Sequence, residues 1–315
     1  MQILKNILLT GASGVVGQPV FKALNQQSAI VRPVFRNQQQ AQKVANAAVV
    51  PSLDAATDWT AALQRIEVVI HAAARAHVMR DEALDPLAEY RRVNVAGTLN
   101  LARQAAAAGV RRFVFVSSIK VNGESTQPGR PFTADDIPAP EDAYGISKAE
   151  AEAGLWEIAR AAGMELVIVR PVLVYGPGVK GNLASMMRWV HRGLPLPLGA
   201  VTGNRRSLVA LDNLVDLLAV CAVHPKAANQ VFLASDGEDV STAGLLQLMA
   251  MAAQRPARLL PVPMALLQWG ARLLGKQAVA QRLLGSLQVD IQKNRDLLGW
   301  QPPVPVQTAW QKMKD

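Results

Sequence analysis

Apolar and polar positions follow two different patterns along the first half of the chain, one typical of strands and one typical of helices. Short apolar runs bounded by turn-forming residues predict buried strands at Asn6–Leu9, Ile30–Phe35, Val68–His71, Phe113–Ser117 and Leu166–Arg170. Segments with a helical repeat lie between them, at Gln18–Asn25, Gln38–Ala45, Trp59–Gln64, Pro86–Ala108 and Ala143–Ala162. Because strands that alternate with helices usually pair in parallel, we expect an α/β fold with a doubly wound parallel sheet.

The pattern changes after Pro171, where proline and glycine become frequent, as in Gly176–Gly178 and Gly193–Pro197. Such dense turn signals predict short elements. We therefore expect a first domain over residues 1–171 and a smaller C-terminal lobe over residues 172–315. The two are predicted to be interleaved, with some segments of the lobe returning to the sheet.

Composition narrows the class of protein. Of the 315 residues, 50% are hydrophobic and 18% are charged, which is typical of a globular protein and excludes a disordered one. The single cysteine, Cys221, excludes an internal disulfide and favours a reducing cytoplasm. The first apolar run is too short for a signal peptide, and no run reaches about 18 apolar residues. We therefore expect a cytoplasmic protein without a transmembrane segment.

The formal net charge of +9 predicts an anionic partner, which is nucleic acid, a membrane surface or a phosphorylated small molecule. Nucleic acid is disfavoured, because aromatic residues make up only 5% of the chain and lie mostly in apolar surroundings. A metal site is not expected either, since the four histidines are scattered.

A glycine-rich turn, Thr10–Gly17, follows the first predicted strand and opens the first predicted helix. Glycines at 11, 14 and 17 allow a tight turn and a close approach to a pyrophosphate, which the N–H groups of the helix would bind. A plain strand-to-helix turn is the alternative, but this position in the chain favours a Rossmann-type dinucleotide site.

The end of the second strand indicates which dinucleotide binds. An acid is typical there when the ribose is that of NAD(H), but this chain has Arg36. A guanidinium suits a 2′-phosphate, so NADP(H) is favoured over NAD(H). The alternative is that Arg36 is only a solvated residue and that NAD(H) binds without the usual acid.

A second motif carries catalytic chemistry. Tyr144 and Lys148 are four residues apart at the start of a predicted helix and therefore share one face. A neighbouring ammonium favours the phenolate, so Lys148 is expected to lower the pKa of Tyr144. Ser118, at the end of the preceding strand, is placed to orient the substrate oxygen that Tyr144 protonates.

These motifs together resemble the extended short-chain dehydrogenases/reductases, in the branch of nucleotide-sugar epimerases, dehydratases and ketoreductases. The residues that carry the resemblance are Gly11, Gly14, Gly17, His71–Ala74, Asn94, Ser118, Tyr144, Lys148, Arg170–Pro171 and Tyr175–Pro177. The resemblance implies that Asn94 holds a water in a proton relay and that Lys148 contacts the nicotinamide ribose. It implies cofactor contacts from Gly11, Ser13, Gly14, Val15, Val16, Gly17, Arg36, Leu53, Ala72, Ala73, Ala74, Ser117, Tyr144, Lys148 and Pro171.

The resemblance also implies a UDP-sugar as substrate. Asn182 and Leu183 match the segment that contacts the nucleotide diphosphate in the family, and Arg205 matches its phosphate-binding arginine. Lys120 and Asn122 follow Ser118 and are expected to face the sugar, although a salt bridge of Lys120 within the protein is an equal alternative. A homodimer is usual in the family.

Departures from the family pattern narrow the reaction. Ile119 and Lys120 replace the Asp-Glu pair that dehydratases need, which disfavours dehydration. Asn122 and Leu173 differ from the residues of a standard UDP-galactose 4-epimerase pocket.

The runs Ser117–Glu124 and Ser235–Asp239 resemble those of bacterial proteins from surface-polysaccharide clusters. This resemblance implies a reductase of UDP-4-keto-6-deoxy-N-acetylhexosamine, which would yield UDP-N-acetylquinovosamine or its C4 epimer, and Arg36 agrees with it because a reductase is well served by NADPH.

Two alternatives remain. A UDP-glucose or UDP-N-acetylglucosamine 4-epimerase would oxidise C4 and reduce the opposite face, whereas a non-catalytic cofactor sensor would usually lack the Tyr144–Lys148 pair. The apolar and basic segment from Arg258 to Leu284 is expected to pack its leucines inside the lobe. Peripheral contact with a membrane surface is the alternative for this segment.

Overall fold

A computed structural model describes residues 6–27, 29–76, 85–127, 129–179 and 182–314. Its centre is a seven-stranded, fully parallel sheet in the order β3-β2-β1-β4-β5-β6-β9. The strands are β1 (Ile7–Thr10), β2 (Val31–Phe35), β3 (Ala48–Val49), β4 (Val68–His71), β5 (Arg112–Val116), β6 (Glu165–Pro171) and β9 (Gln230–Ala234). The predicted doubly wound α/β fold is thus confirmed.

A smaller sheet lies in the second half of the chain, in the order β10-β8-β7. Its strands are β7 (Leu173–Tyr175), β8 (Arg206–Ala210) and β10 (Asp239–Val240). Strand β9 leaves this half and pairs with β6, from Val167 opposite Gln230 to Pro171 opposite Ala234. The division into domains at residue 171 stays a prediction.

Helices cover both faces of the large sheet and build the rest of the second half. They are α1 (Gly17–Gln26), α2 (Gln38–Ala41), α3 (Thr60–Leu63), α4 (Pro86–Tyr90), α5 (Thr98–Ala107), α6 (Ala143–Ala162), α7 (Asn182–His191), α8 (Leu211–Val223), α9 (Thr242–Ala252), α10 (Met264–Leu273), α11 (Gln277–Leu284), α12 (Gln292–Leu298) and α13 (Val306–Gln311). Short 3₁₀ turns occur at Ile119–Val121, Pro225–Ala227 and Lys312–Lys314.

The bounds of α6 agree with the predicted ones because the sequence marks both ends. Asp142 accepts a hydrogen bond from the Gly145 N–H at 2.7 Å, which caps the start of the helix. Gly163 ends it in the left-handed conformation, at φ 66°.

The region predicted as one helix over Pro86–Ala108 is instead divided in three. A π-helical segment, Arg91–Gly97, separates α4 from α5. Segments of this kind add a residue to the helical turn and occur frequently at functional sites. They are rare, and the apolar repeat is too similar to that of an α-helix to predict them.

Two large apolar clusters occupy the opposite faces of the parallel sheet, with Leu9 and Val114 in one and Leu8 and Phe113 in the other. A third cluster fills the second lobe. Among the helices that the structure describes, none is long and apolar enough to cross a membrane.

Candidate active site

Predicted site residues from both motifs lie along one edge of the large sheet. Because all seven strands are parallel, their carboxyl ends meet at this edge, which is where α/β sheets bind ligands. The segments that follow β1, β2, β4, β5 and β6 there are Gly11–Val16, Arg36, Ala72–Ala74, Ser117–Ser118 and Val172. The structure thus brings the glycine turn and the Ser118 segment to the same edge.

The glycine turn is built as a cradle for an anion. Gly11 has φ +71°, and its carbonyl accepts a hydrogen bond from the Gly14 N–H at 2.8 Å. A Cβ on Gly17 would lie 2.1 Å from the Gly11 oxygen, so only glycine fits there. Ser13, Gly14 and Val15 are exposed.

Helix α1 begins directly after this turn, and in the described part of the chain no side chain caps its first N–H groups. A helix start without a side-chain cap, together with the positive end of the helix dipole, suits a pyrophosphate. The turn therefore fits a dinucleotide cofactor.

His71, at the end of β4, supports the edge without taking part in proton exchange. Its Nδ1 lies 2.7 Å from Thr10 Oγ1 and its Nε2 lies 2.9 Å from Thr98 Oγ1. Burial, together with the charge of Lys148, lowers the pKa of His71 to about 3. His71 therefore stays neutral at physiological pH.

Other predicted cofactor residues occupy different surroundings along this edge. Arg36 is exposed directly after β2, whereas Pro171 is buried at the end of β6. Leu53 is half-buried against the π-helical segment, where a Cβ on Gly97 would lie 2.8 Å from its carbonyl carbon. Ala72 and Ala73 are half-buried and Ala74 is exposed.

Tyr144 and Lys148 occupy the first turns of α6, which packs over the carboxyl end of β5. Lys148 Nζ donates to the carbonyl of Val116 at 2.8 Å, and Val116 is the last residue of β5. The backbone of Gly145 is tightly packed, since a Cβ there would lie 2.8 Å from the Lys120 oxygen. These contacts bring the Tyr144 turn against the Ser118–Lys120 turn.

The expected effect of Lys148 on Tyr144 is not present in this structure, and that expectation was wrong. Burial, with smaller contributions from Asp142 and Tyr90, raises the pKa of Tyr144 above its ordinary value. Lys148 Nζ lies 6.0 Å from the centroid of the Tyr144 ring and donates to Val116 instead. Burial also lowers the pKa of Lys148 to about 7, against the opposing charge of Glu152, so Lys148 is only partly charged at neutral pH.

The side chains of Ser118 and Lys120 differ in how strongly other protein groups engage them. Ser118 is half-buried, and among the described residues its hydroxyl accepts only a long hydrogen bond, from the Lys120 N–H at 3.3 Å. Lys120 Nζ bonds Asp142 and also donates to Glu124 at 2.8 Å. Burial alone would lower the pKa of Lys120, but these two carboxylates outweigh it and raise the pKa. The salt-bridge alternative for Lys120 is thus the one that the structure contains.

Asn94 lies in the π-helical segment, and its side chain is fully engaged by the protein. Its Oδ1 accepts from the Arg75 N–H at 2.8 Å, and its Nδ2 donates to Arg75 O at 3.1 Å and Ser147 Oγ at 3.0 Å. The side-chain amide therefore joins the loop after β4 to α6. The predicted role of Asn94 in holding a water stays a prediction.

Two predicted contacts are corrected by a buried network beneath the edge. Ser117 donates to Glu152 Oε1 at 2.5 Å, and Glu152 pairs with Arg170 at 2.5 Å. Arg170 also donates to Asn122 Oδ1 at 2.9 Å, while Asn122 Nδ2 donates to Thr133 O at 2.9 Å. The side chains of Ser117 and Asn122 are therefore buried and occupied, and neither is available to a cofactor or a sugar.

Glu152 is a structural member of the site that the sequence analysis missed. It lies four residues after Lys148, so it shares the face of α6 that carries Tyr144 and Lys148. A carboxylate on the buried face of a helix requires a cationic partner. The position of Glu152 on that face could therefore have indicated a buried ion pair from the sequence alone.

The predicted diphosphate residues lie in the second lobe. The side chain of Asn182 is outside the described part of the chain. Leu183 is buried in the apolar cluster of the lobe, so its side chain does not face a ligand, and the predicted contact of this segment with the diphosphate stays a prediction. Arg205 is exposed, and its Nη1 donates to Thr202 O at 2.8 Å and Asn204 O at 3.0 Å.

Lys148 gives a testable effect of pH on stability. Its pKa is about 7 in the folded chain and about 10.5 when unfolded, so between these values the unfolded chain binds more protons. Stability therefore rises with pH through this window because of Lys148. Relative to Lys148→Met, the free energy of unfolding of the wild type should rise by up to about 1.4 kcal/mol for each pH unit.

Urea denaturation of both proteins between about pH 7 and about pH 10 measures this gain, because other titrating groups cancel in the difference. A difference that stays constant across the window would contradict a neutral, buried Lys148.

The sequence of the chain is similar to those of a known family and of a described bacterial relative. Residues 7–234 match the NAD dependent epimerase/dehydratase family. The chain is also 50% identical over 309 residues to a Vibrio cholerae protein described as UDP-glucose 4-epimerase, covering 98% of this chain and 94% of the relative.

Solved structures show the same fold. One is a UDP-glucose 4-epimerase from Thermotoga maritima with UDP-glucose, with a TM-score of 0.75, 23% identity, and coverage of 98% of this chain and 97% of that one. Another is a UDP-N-acetylglucosamine 4-epimerase from Bacillus cereus, with a TM-score of 0.78, 19% identity, and coverage of 98% and 95%. At these identities the two likenesses show the fold alone.

Proposed function

Because the chain belongs to the NAD dependent epimerase/dehydratase family, we propose that it is a UDP-sugar 4-epimerase. The observation that carries the proposal is the position of Lys148, which lies one turn of α6 after Tyr144. Its Nζ is held by the carbonyl of Val116 at the end of β5, two residues before Ser118. The relative with 50% identity is described as an epimerase, which favours this reaction over the reductase expected from the sequence.

A nicotinamide cofactor, when bound, supplies the hydride acceptor and donor for C4 of the sugar. The glycine turn and the start of α1 would hold its pyrophosphate, because within the described residues no side chain caps the start of this helix and the positive end of its dipole faces the turn. Ala72 and Ala73, which follow β4 at the same edge, would line the adjoining part of the cleft.

Proton exchange at the sugar O4 is assigned to Tyr144. Its raised pKa keeps the hydroxyl protonated, which suits donation to the alkoxide that develops when the 4-keto sugar is reduced. In the oxidation step Tyr144 would take the O4 proton and give up its own hydroxyl proton to the neutral form of Lys148, which is present near neutral pH because the Lys148 pKa is about 7. Ser118 would hold O4 in place through its weakly engaged hydroxyl.

The diphosphate of the substrate is assigned to Arg205. Its guanidinium is exposed, and the described hydrogen bonds use only Nη1, on the carbonyls of Thr202 and Asn204. These bonds hold the side chain in one direction, so the guanidinium is oriented before a phosphate arrives. The backbone at the start of α7 would add donors to the same group.

Arg36 favours a second candidate, the NADP(H)-dependent 4-ketoreductase. Arg36 occupies the position after β2 where an acid for the ribose of NAD(H) is typical, and its side chain is exposed. An enzyme that exchanges its cofactor at every turnover is well served by NADPH, whereas an epimerase retains its cofactor.

We expect Arg36→Ala to weaken binding of NADP(H) about tenfold or more, because a charge-assisted bond to the 2′-phosphate is lost. Binding of NAD(H) should change less than about threefold. Titration of the two cofactors by calorimetry measures both values. Lys22→Ala, which removes an exposed cation from α1, is the matched control. Equal losses for both cofactors, or no loss for either, would exclude this role of Arg36.

Two assays on the purified protein distinguish the candidates. An epimerase retains nicotinamide cofactor through purification and interconverts UDP-glucose with UDP-galactose, or UDP-N-acetylglucosamine with UDP-N-acetylgalactosamine, without added cofactor. A reductase gives neither conversion and instead consumes NADPH when a UDP-4-keto-6-deoxy-N-acetylhexosamine is supplied. The second result would replace the epimerase by the reductase.

A further inference from the structure

Helix α10 does not pack as its sequence suggests. The structure describes all ten of its residues, from Met264 to Leu273, and none of them is buried. Leu266, Trp269 and Leu273 are 57%, 62% and 67% exposed. The expectation that the leucines of this segment pack inside the lobe is therefore wrong for Leu266 and Leu273.

The exposed side chains form one continuous stripe. Leu266, Trp269 and Leu273 follow the spacing i, i+3, i+7, which places them on one face of the helix. Leu267, about a quarter turn away, contacts the apolar cluster of the lobe. The helix thus lies along the protein on one side and presents large apolar side chains to the outside.

The sequence on both sides of this stripe contains cations but no acidic residue. Residues 240–289 contain no Asp or Glu. Arg255, Arg258, Arg272 and Lys276 are all exposed. Arg282 is not counted with them, because its Nε lies 4.0 Å from Glu124. We name the α10 surface by its exposed members, which are Leu260, Leu266, Trp269, Leu273, Leu274, Arg255, Arg258, Arg272 and Lys276.

We propose that the α10 surface docks on a membrane that contains anionic lipids. Leucine and tryptophan side chains insert at the boundary between headgroups and acyl chains, while flanking Arg and Lys bind anionic headgroups. Charge complementarity favours an anionic membrane as the partner of this surface over a second copy of the chain. A second copy of the chain on the same surface would instead bring the four cations of each copy together, and residues 240–289 contain no acid to offset them.

Vesicle co-sedimentation with the full chain tests the proposal, which is independent of the proposed function. The wild type should sediment with vesicles of phosphatidylcholine containing about 30% phosphatidylglycerol, but not with phosphatidylcholine alone. The double variant Leu266→Glu/Trp269→Glu should bind the anionic vesicles at least about tenfold more weakly. Arg272→Glu/Lys276→Glu should lose a similar factor, since each basic residue contributes about fivefold.

The control variants carry the same kinds of substitution at exposed positions in the first half of the chain. Ile30→Glu alters a residue that is also 60% exposed but precedes β2, and Lys22→Glu/Lys43→Glu reverses two exposed cations of the first half. Both controls should bind like the wild type, and turnover of a soluble substrate should be equal in all these proteins. Equal binding to both vesicle types, binding to neither, or full binding by Leu266→Glu/Trp269→Glu would overturn the proposal. A wild-type dimer that this variant separates into monomers would assign the surface to a second copy instead.

Discussion

Tyr144→Phe is expected to lower kcat by about 10²–10⁴-fold, because the sugar O4 loses the group that gives and takes its proton. The ring should keep its place, since it packs edge to face against Tyr90 with the centroids 5.9 Å apart. Cofactor binding should therefore remain within about twofold of the wild type, because only one hydroxyl is removed. Steady-state turnover, together with cofactor titration, measures the two effects separately.

The chain offers a close control for this change. Tyr90→Phe removes a hydroxyl from the neighbouring ring, which contributes only a small part of the raised pKa of Tyr144, so its turnover should stay near that of the wild type. If Tyr144→Phe turned over at the wild-type rate, Tyr144 could not be the acid and base at O4.

Glu152→Ala is expected to destabilise the folded chain by about 3–5 kcal/mol, because it leaves the Arg170 guanidinium buried without its counter-charge. Both side chains are about 95% buried, and Arg170 donates to both carboxylate oxygens of Glu152. The change also removes the acceptor of Ser117. The free energy of unfolding from urea denaturation gives the loss directly.

Glu150 on the same helix provides the comparison. It pairs with Arg91 at 2.6 Å, but its side chain is 35% exposed and that of Arg91 is 51% exposed. Glu150→Ala should therefore cost at most about 1 kcal/mol. A loss for Glu152→Ala no greater than that for Glu150→Ala would mean that the buried pair does not hold β5, α6 and β6 together.

Much of the fold could be predicted where the sequence marks both the period and the ends of an element. Strand β4 and helix α6 have the predicted bounds, the latter because Asp142 and Gly163 cap it. The two-residue strand β3 was missed, because a short, partly exposed edge strand has no apolar run. The resemblance to extended short-chain dehydrogenases/reductases, which rested on motifs at these strand ends, is confirmed by the family match.

The chemistry of individual side chains was less predictable, because it depends on contacts between distant segments. The spacing of Tyr144 and Lys148 placed both on one face, but it could not show that Lys148 turns toward Val116. Asn122 follows Ser118 closely and looked like a sugar contact, yet Arg170, 48 residues later, engages it. The apolar repeat of α10 predicted a buried face and could not reveal that the lobe leaves most of it uncovered.

The fate of the hydrogen on C4 tests the central proposal most directly. UDP-glucose and UDP-N-acetylglucosamine, each carrying deuterium at C4, are incubated with the purified protein without added cofactor. The products are then analysed by mass spectrometry and NMR. If the chain is a 4-epimerase, one substrate yields its C4 epimer with the deuterium still on C4, because the hydride that leaves C4 returns to the same carbon. Formation of neither epimer, or of an epimer with ordinary hydrogen at C4, would contradict the proposal.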